Sequence, residues 1–323
     1  MTRTLLAILT CSVISPAQPS SATVTGTYHF TTPQSAQSLH EAETVIRTVA
    51  WVQEVSVDNP TATLTFSGPL GVVNFAEWIL PQIDKSVGDV AVHEYKLPSG
   101  DVGRVNFVPN VQKPQELQEV LTVLRTVADV QKMFTFSSNH AIVLVAPDWQ
   151  VAFSEWILDQ IQRKPDSAPH EFTVGGPDPA WEREARVNFL SSMTAPQQMQ
   201  ELLTVLRTVG DIQKIFSYST LHALVLRSAG SELQRAEWLI QQLEQTSGPA
   251  SFTAPSGDDV TRVFRLHNAT LQGIQAAVTG IRSDLNIKKI FATTAPATIV
   301  VRGTTDQIAA TATWMTVHTM LFE

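Results

Sequence analysis

The sequence predicts an α+β protein made of four tandem small β-α-β-β-α modules, each a three- to four-stranded sheet with helices on one face. Three observations predict it: long stretches of the chain repeat, tryptophans recur at regular spacing, and the hydrophobic period switches between helix and strand in the same order in each copy. The two central copies are the most alike. Arg104-Val105-Asn106-Phe107 returns as Arg186-Val187-Asn188-Phe189, Leu121–Val127 returns as Leu203–Val209, and Asp129-Val130-Gln131-Lys132-Met133-Phe134 returns as Asp211-Ile212-Gln213-Lys214-Ile215-Phe216. Weaker copies flank them, carrying Val45-Ile46-Arg47-Thr48-Val49 upstream and Gly280-Ile281-Arg282 downstream. Trp78, Trp156, Trp238 and Trp314 mark units of roughly 75–80 residues, the size of a small independent domain.

Each element follows from its pattern. A short strand such as 186–190 comes first. In the third copy Met199, Leu202, Leu203, Leu206 and Val209 then fall at helical spacing on one stripe, and Pro196 suits the start of that helix. Two strands follow. Leu224 and Leu226 alternate with Val225 and Arg227, so the leucines are expected inward and Arg227 outward; Ile299 and Val301 alternate likewise with Val300 and Arg302. A second helix closes the unit on Leu233, Ala236, Ile240 and Leu243. An extra strand is expected before the first at 93–97 and at 170–174, with a turn at Pro98-Ser99-Gly100-Asp101. Stretches rich in Pro, Gly, Ser and Asp at 86–103, 164–184 and 246–261 read as boundaries. The division is a signal peptide at 1–22 and modules at 23–85, 90–163, 169–246 and 251–323.

The order β-α-β-β-α resembles the periplasmic N-terminal modules of secretins, the outer-membrane channels of type II and III secretion and of type IV pili. The fourth copy carries the likeness best, with Val263-Phe264-Arg265-Leu266-His267-Asn268-Ala269 before a helix and Ala297-Thr298-Ile299-Val300-Val301-Arg302-Gly303 as an apolar strand ending in glycine. The resemblance implies modules that pack side by side and dock protein partners. No β-rich pore domain follows in this sequence, so channel formation is not among the expectations.

Arg3, an apolar run from Leu5 to Ile14, and small residues at Ser20 and Ala22 or at Ser15 and Ala17 read as a secretory signal, giving a periplasmic or secreted protein. Cys11 is the only cysteine and lies in that segment. Lipidation there is disfavoured by Thr10 in place of a small residue, and the remaining chain offers neither disulfides nor thiolate ligands. The 323 residues are 43% apolar and carry a formal charge of −8. That balance supports real cores and argues against general nucleic-acid or anionic-lipid binding. No later run has the apolar length of a membrane span.

No catalytic, cofactor or metal site is expected. The eight histidines include no i, i+4 pair on one predicted helix, and no nucleophile elbow, phosphate-cradling loop or dinucleotide fingerprint occurs. His140 and His222 take equal places in two repeats and read as hairpin residues, while Gly175-Gly176-Pro177 reads as a turn. Glu182 and Glu184 read as a solvated charge run, and the sequon Asn268-Ala269-Thr270 matters only in a glycosylating host.

The repeated Glu-Trp pair (Glu77-Trp78, Glu155-Trp156, Glu237-Trp238) places tryptophan over a quarter-turn from the buried stripe of the second helix. Three readings stay open for Trp78, Trp156, Trp238 and Trp314: packing on the neighbouring module or linker, a partner-binding surface, or core packing on a rotated helix. Arg47, Arg125, Arg207 and Arg282 also lie off the stripe, either snorkelling in solvent or paired with the glutamate of the Glu-Trp pair. The expected function is an exported, non-enzymatic scaffold or interaction protein, joined to a protein partner or to itself, and associated with a secretion or pilus system as the resemblance implies. The alternative is a soluble periplasmic receptor holding a small ligand between modules.

Overall fold

Where the apolar period is 3.6 the chain is helical, and where it is 2 the chain is extended. The computed structural model describes residues 23–85, 93–177, 182–245, 250–255, 257–267 and 269–318. The expected signal peptide with Cys11, and the asparagine of the sequon, lie outside them. The first module comprises β1 (Thr23–His29), α1 (Ala36–Val49), β2 (Glu54–Asp58), β3 (Thr63–Pro69) and α2 (Leu70–Ile83). The second comprises β4 (His93–Lys96), β5 (Val102–Phe107), α3 (Pro114–Val127), β6 (Lys132–Phe136), β7 (Ala141–Ala146) and α4 (Asp148–Gln162). The third comprises β8 (His170–Thr173), β9 (Glu184–Phe189), α5 (Pro196–Thr208), β10 (Lys214–Tyr218), β11 (Ala223–Ser228) and α6 (Gly230–Gln245). The fourth comprises β12 (Ser251–Thr253), β13 (Val260–Arg265), α7 (Leu271–Asp284), β14 (Lys289–Thr294), β15 (Ala297–Gly303) and α8 (Thr305–Val317).

All four sheets are antiparallel, and their strand orders are β1-β3-β2, β4-β5-β7-β6, β8-β9-β11-β10 and β12-β13-β15-β14. The extra edge strand is present in the last three sheets. Helix starts follow local chemistry: Ser35, Thr270 and Thr304 accept from backbone N–H groups as N-caps, and Pro114 and Pro196 sit in the first turns of α3 and α5. His140 and His222 each adopt a left-handed conformation at φ 50° after a short 3-10 turn, which lets the hairpin reverse.

Leu202, Leu206, Leu224, Leu226, Leu233 and Leu243 are buried in one core, as the periodicity predicts. The outward faces of the strands are a different matter. β7 and β11 are buried at every residue, so both faces of these sheets are covered. Val105, Phe136, Val143 and Val145 of the second sheet share a core with α1 and α2. Ala185, Val187 and Val225 of the third share one with α3 and α4, and Val263 and Val300 of the fourth share one with α5 and α6. The modules are therefore layers of one stack, sheet on helices on sheet, and Val225, Arg227, Val300 and Arg302 face the preceding module and not solvent. The alternation identified which residues share a face; it could not say that the second face also meets protein.

Candidate functional site

The junctions between modules concentrate the chemistry, and they repeat. Two or three residues after each first helix comes a residue with positive φ: Trp51 at 61°, Asp129 at 59°, Asp211 at 62° and Asn286 at 50°. Asp and Asn tolerate this conformation, whereas a bulky aromatic is an outlier there. At the junction of the second and third modules, the buried Arg227 donates from Nε to the Glu182 carbonyl at 2.8 Å and from Nη1 to Asp129 at 3.1 Å and to the Val127 carbonyl at 3.4 Å. Lys214 bridges Asp129 and Glu182. Its pKa is raised: burial works against the ammonium charge, but its hydrogen bonds to the two carboxylates outweigh burial. Glu182 is thus a junction residue, which corrects the reading of a solvated charge run. Glu184 is exposed but opens β9.

The next junction repeats the plan. Arg302 donates from Nη1 to Asp211 at 2.7 Å and to the Val209 carbonyl at 3.2 Å, and from Nε and Nη2 to Asp259 at 2.7 and 2.6 Å. Lys289 also pairs with Asp211. Arg235 of α6, buried, reaches Glu232 and Asp259 at 2.7 Å each. In both junctions an arginine donates to a carbonyl at the C-terminal end of the preceding module's first helix, where the helix dipole favours a cation. The first junction replaces the ions. Val145 stands where Arg227 and Arg302 stand, and Lys132 lies 4.2 Å over the ring of Trp51, which occupies the aspartate position.

A second repeated contact crosses each junction. Glu41 of α1 accepts from Ser137 N at 2.7 Å, Glu119 of α3 from Ser219 N at 2.9 Å, and Glu201 of α5 from Thr294 N at 2.8 Å. Each first helix therefore holds the hairpin turn of the following module.

The Glu-Trp pairs divide their work. Trp78 lies 5.5 Å from Tyr95, Trp156 5.2 Å from Phe172, and Trp238 5.8 Å from Phe252, in each case on the extra edge strand of the next module. Two of the glutamates turn back to the sheet of their own module, where Glu155 pairs with Arg104 of β5 and Glu237 with Arg186 of β9. Burial raises the Glu155 pKa despite Arg104. Trp314 departs from the set. Counted from the shared Arg227 and Arg302, it falls at the position of Leu239, one residue beyond Trp238 and about 100° further round the helix. It lies on its own α7, hydrogen-bonded to Asp284 at 2.9 Å. Among the described residues no ring contact joins two of these four tryptophans.

The off-stripe arginines do not pair with the glutamate of the Glu-Trp motif. Arg47 donates to the Gln53 and Val55 carbonyls, Arg207 to Ile215 O at 2.9 Å and Arg282 to Ile290 O at 3.1 Å. The acceptors lie on or beside β2, β10 and β14, the end strands of their sheets, so these side chains occupy backbone acceptors on edges otherwise open to pairing. Among the described residues no group of three or more His, Cys, Asp or Glu side chains could hold a metal ion, and no helix is long and apolar enough to cross a membrane. A concavity of about 280 Å³ opens beneath α6 between Asn188, Phe189, Glu237 and Glu244, and its lining belongs to the third module and the residues just before it.

Sequence reasoning had the junction residues in hand without their role. The Asp-x-Gln-Lys repeat marked the copies, but nothing in its spacing shows that the aspartate faces the lysine and arginine of the next copy. No family model matches the sequence, and no curated protein matches it. The chain is similar to solved structures over parts of its length. The N-terminal domain of the secretin XcpQ from Pseudomonas aeruginosa is 14% identical at a TM-score of 0.21, over 64% of this chain and 94% of that one. ExeD of Aeromonas hydrophila is 13% identical at 0.17, over 88% of this chain and 60% of that one. A chain of the a/eIF2alpha-aDim2p-rRNA complex from Pyrococcus horikoshii is 9% identical at 0.25, over 45% and 88%. Likeness at this level bears on neither ligand nor partner.

Proposed function

We propose that this protein is an exported, non-enzymatic scaffold that presents a stack of secretin-N-like modules to a protein partner of a secretion or pilus system. The observation that carries the reading is the filling of the junctions. A receptor holding a small ligand between modules needs a cleft there. At the second junction that space holds the Phe153–Trp156–Phe172 ring stack and the Arg227–Asp129–Lys214–Glu182 cluster. Long filled stacks suit presentation of lateral surface, because docking there leaves the cores intact. Export rests on the basic residue, apolar run and small residues of the first 22 positions.

The test pairs a measurement in the native host with one on the protein purified from it. Chemical cross-linking in the native cell envelope, read by mass spectrometry, should return a partner protein joined through lateral residues. Native mass spectrometry of the same protein should return the bare chain. A stoichiometric small molecule retained on the chain, with no cross-linked partner, would overturn the proposal in favour of the receptor.

A further inference from the structure

The junctions share a pattern, in full at the second and third and in part at the first, and the helix layer of the fourth module departs from it at each of four positions. The glutamate that holds the next hairpin, Glu41, Glu119 and Glu201, is replaced by Ala276. The valine buried against the next sheet, Val45, Val123 and Val205, is replaced by Gly280. The valine whose carbonyl receives the next arginine, Val127 and Val209, is replaced by Asp284, and the acceptor Asp129 and Asp211 by Asn286. These changes act together. Trp314 takes the place of the buried Leu239 and lies over α7, where a Cβ at residue 280 would meet its ring at 2.4 Å. Glycine is required there for the indole to lie down. Asp284 accepts the indole N–H, and His318 stacks on the ring at 4.0 Å. A charged carboxylate and a tethered indole now stand where the interior layers present valines.

The opposite end is closed in a complementary way. The outer faces of the second, third and fourth sheets each centre on a valine, Val143, Val225 and Val300, buried in the core shared with the helices before it. On the first sheet, Thr23, Thr25, Thr27 and His29 of β1 and Glu54 and Ser56 of β2 occupy that face, and all are exposed. A helix layer docked there would take the threonine hydroxyls, the His29 imidazole and the Glu54 carboxylate out of water, which is costly.

We infer that the stack is terminated by its own sequence at both ends: the fourth helix layer is closed by Trp314 over Gly280, and the first sheet by its hydroxyl-rich face. The protein is then a four-layer array of set length. A second copy does not extend it end to end, and partners reach it from the side.

Sedimentation velocity and fluorescence of a hydrophobic dye test this on the full mature chain. The wild type should sediment as a monomer over a wide concentration range with no dye signal. The variant A276E/G280V/D284V/W314L restores the interior pattern. It should keep its circular dichroism yet gain dye fluorescence several-fold and begin to associate with concentration. A folded variant as dye-silent and monomeric as the wild type overturns the inference, as does end-to-end association of the wild type. A converse variant that leaves the fourth module's own sequence intact, E201A/V205G, introduces the terminal residues into the third module. It should selectively lose amide protection in β14 and β15 while the first two modules keep theirs. Unchanged protection there also overturns the inference.

Discussion

Replacing Arg227 by methionine isolates the ionic part of one junction. The guanidinium is buried and donates hydrogen bonds to Asp129 and to the carbonyls of Val127 and Glu182. Methionine refills most of the volume but satisfies none of them. Removing one partner of a buried ion pair costs about 3–5 kcal/mol, because the other charge stays behind. Here Lys214 still touches both carboxylates, and Asp129 is partly exposed, so the expected loss is about 2–4 kcal/mol. Urea unfolding followed by tryptophan emission and circular dichroism reads it. The guanidinium lies 5.5 Å from the Trp149 ring, which makes that indole a local reporter. The midpoint should fall with the slope retained. A double-mutant cycle with Asp129→Asn should give a coupling energy of about 0.5–3 kcal/mol, since the two side chains share a contact. An unchanged or raised midpoint for Arg227→Met would refute the reasoning and mean that desolvation outweighs the ion cluster.

Three further outcomes follow from the same structure. Glu119→Ala removes the acceptor for Ser219 N and should cost about 1–2 kcal/mol, with faster hydrogen exchange at that amide; equal exchange would show that the contact holds nothing. Leu206→Ala truncates a fully buried side chain and should destabilise the third module by about 2–5 kcal/mol in denaturant unfolding, against which an unchanged midpoint would tell. The Asp259 carboxyl is held below its ordinary value of 3.8, first by its hydrogen bonds with Arg302. A group depressed in the folded state contributes stability that is complete above the unfolded value and lost as pH falls through the folded one. The last junction should therefore be insensitive to pH near neutrality and weaken only in acid below that ordinary value. Asp259→Asn should flatten this acid limb, and a limb of equal slope in the variant would count against the assignment.

The repeats and their periods were enough to establish four β-α-β-β-α units, the inward stripe of α5 and α6, and the extra edge strands at His93 and His170. These are local properties. A helix stripe or a strand alternation is written within a dozen residues, and covalent geometry turns it into a face. The Asp-Gln-Lys repeat and the off-stripe arginines were equally visible, yet their partners were not, because Arg207 meets an edge carbonyl and Asp129 meets a lysine of the following copy only once the chain has folded.

What the sequence by itself determined, then, is the module: its elements, their order and which residues share its own core. Only the tertiary structure decided that the modules stack, that the second face of each later sheet covers the helices before it, and that Trp314 points elsewhere than Trp78, Trp156 and Trp238. The physical reason is that alternation sorts side chains into two faces without saying what lies beyond either. Val187 and Thr27 hold equivalent outward places in their sheets, and they differ in fate because helices α3 and α4 stand against one, while no described residue covers the other.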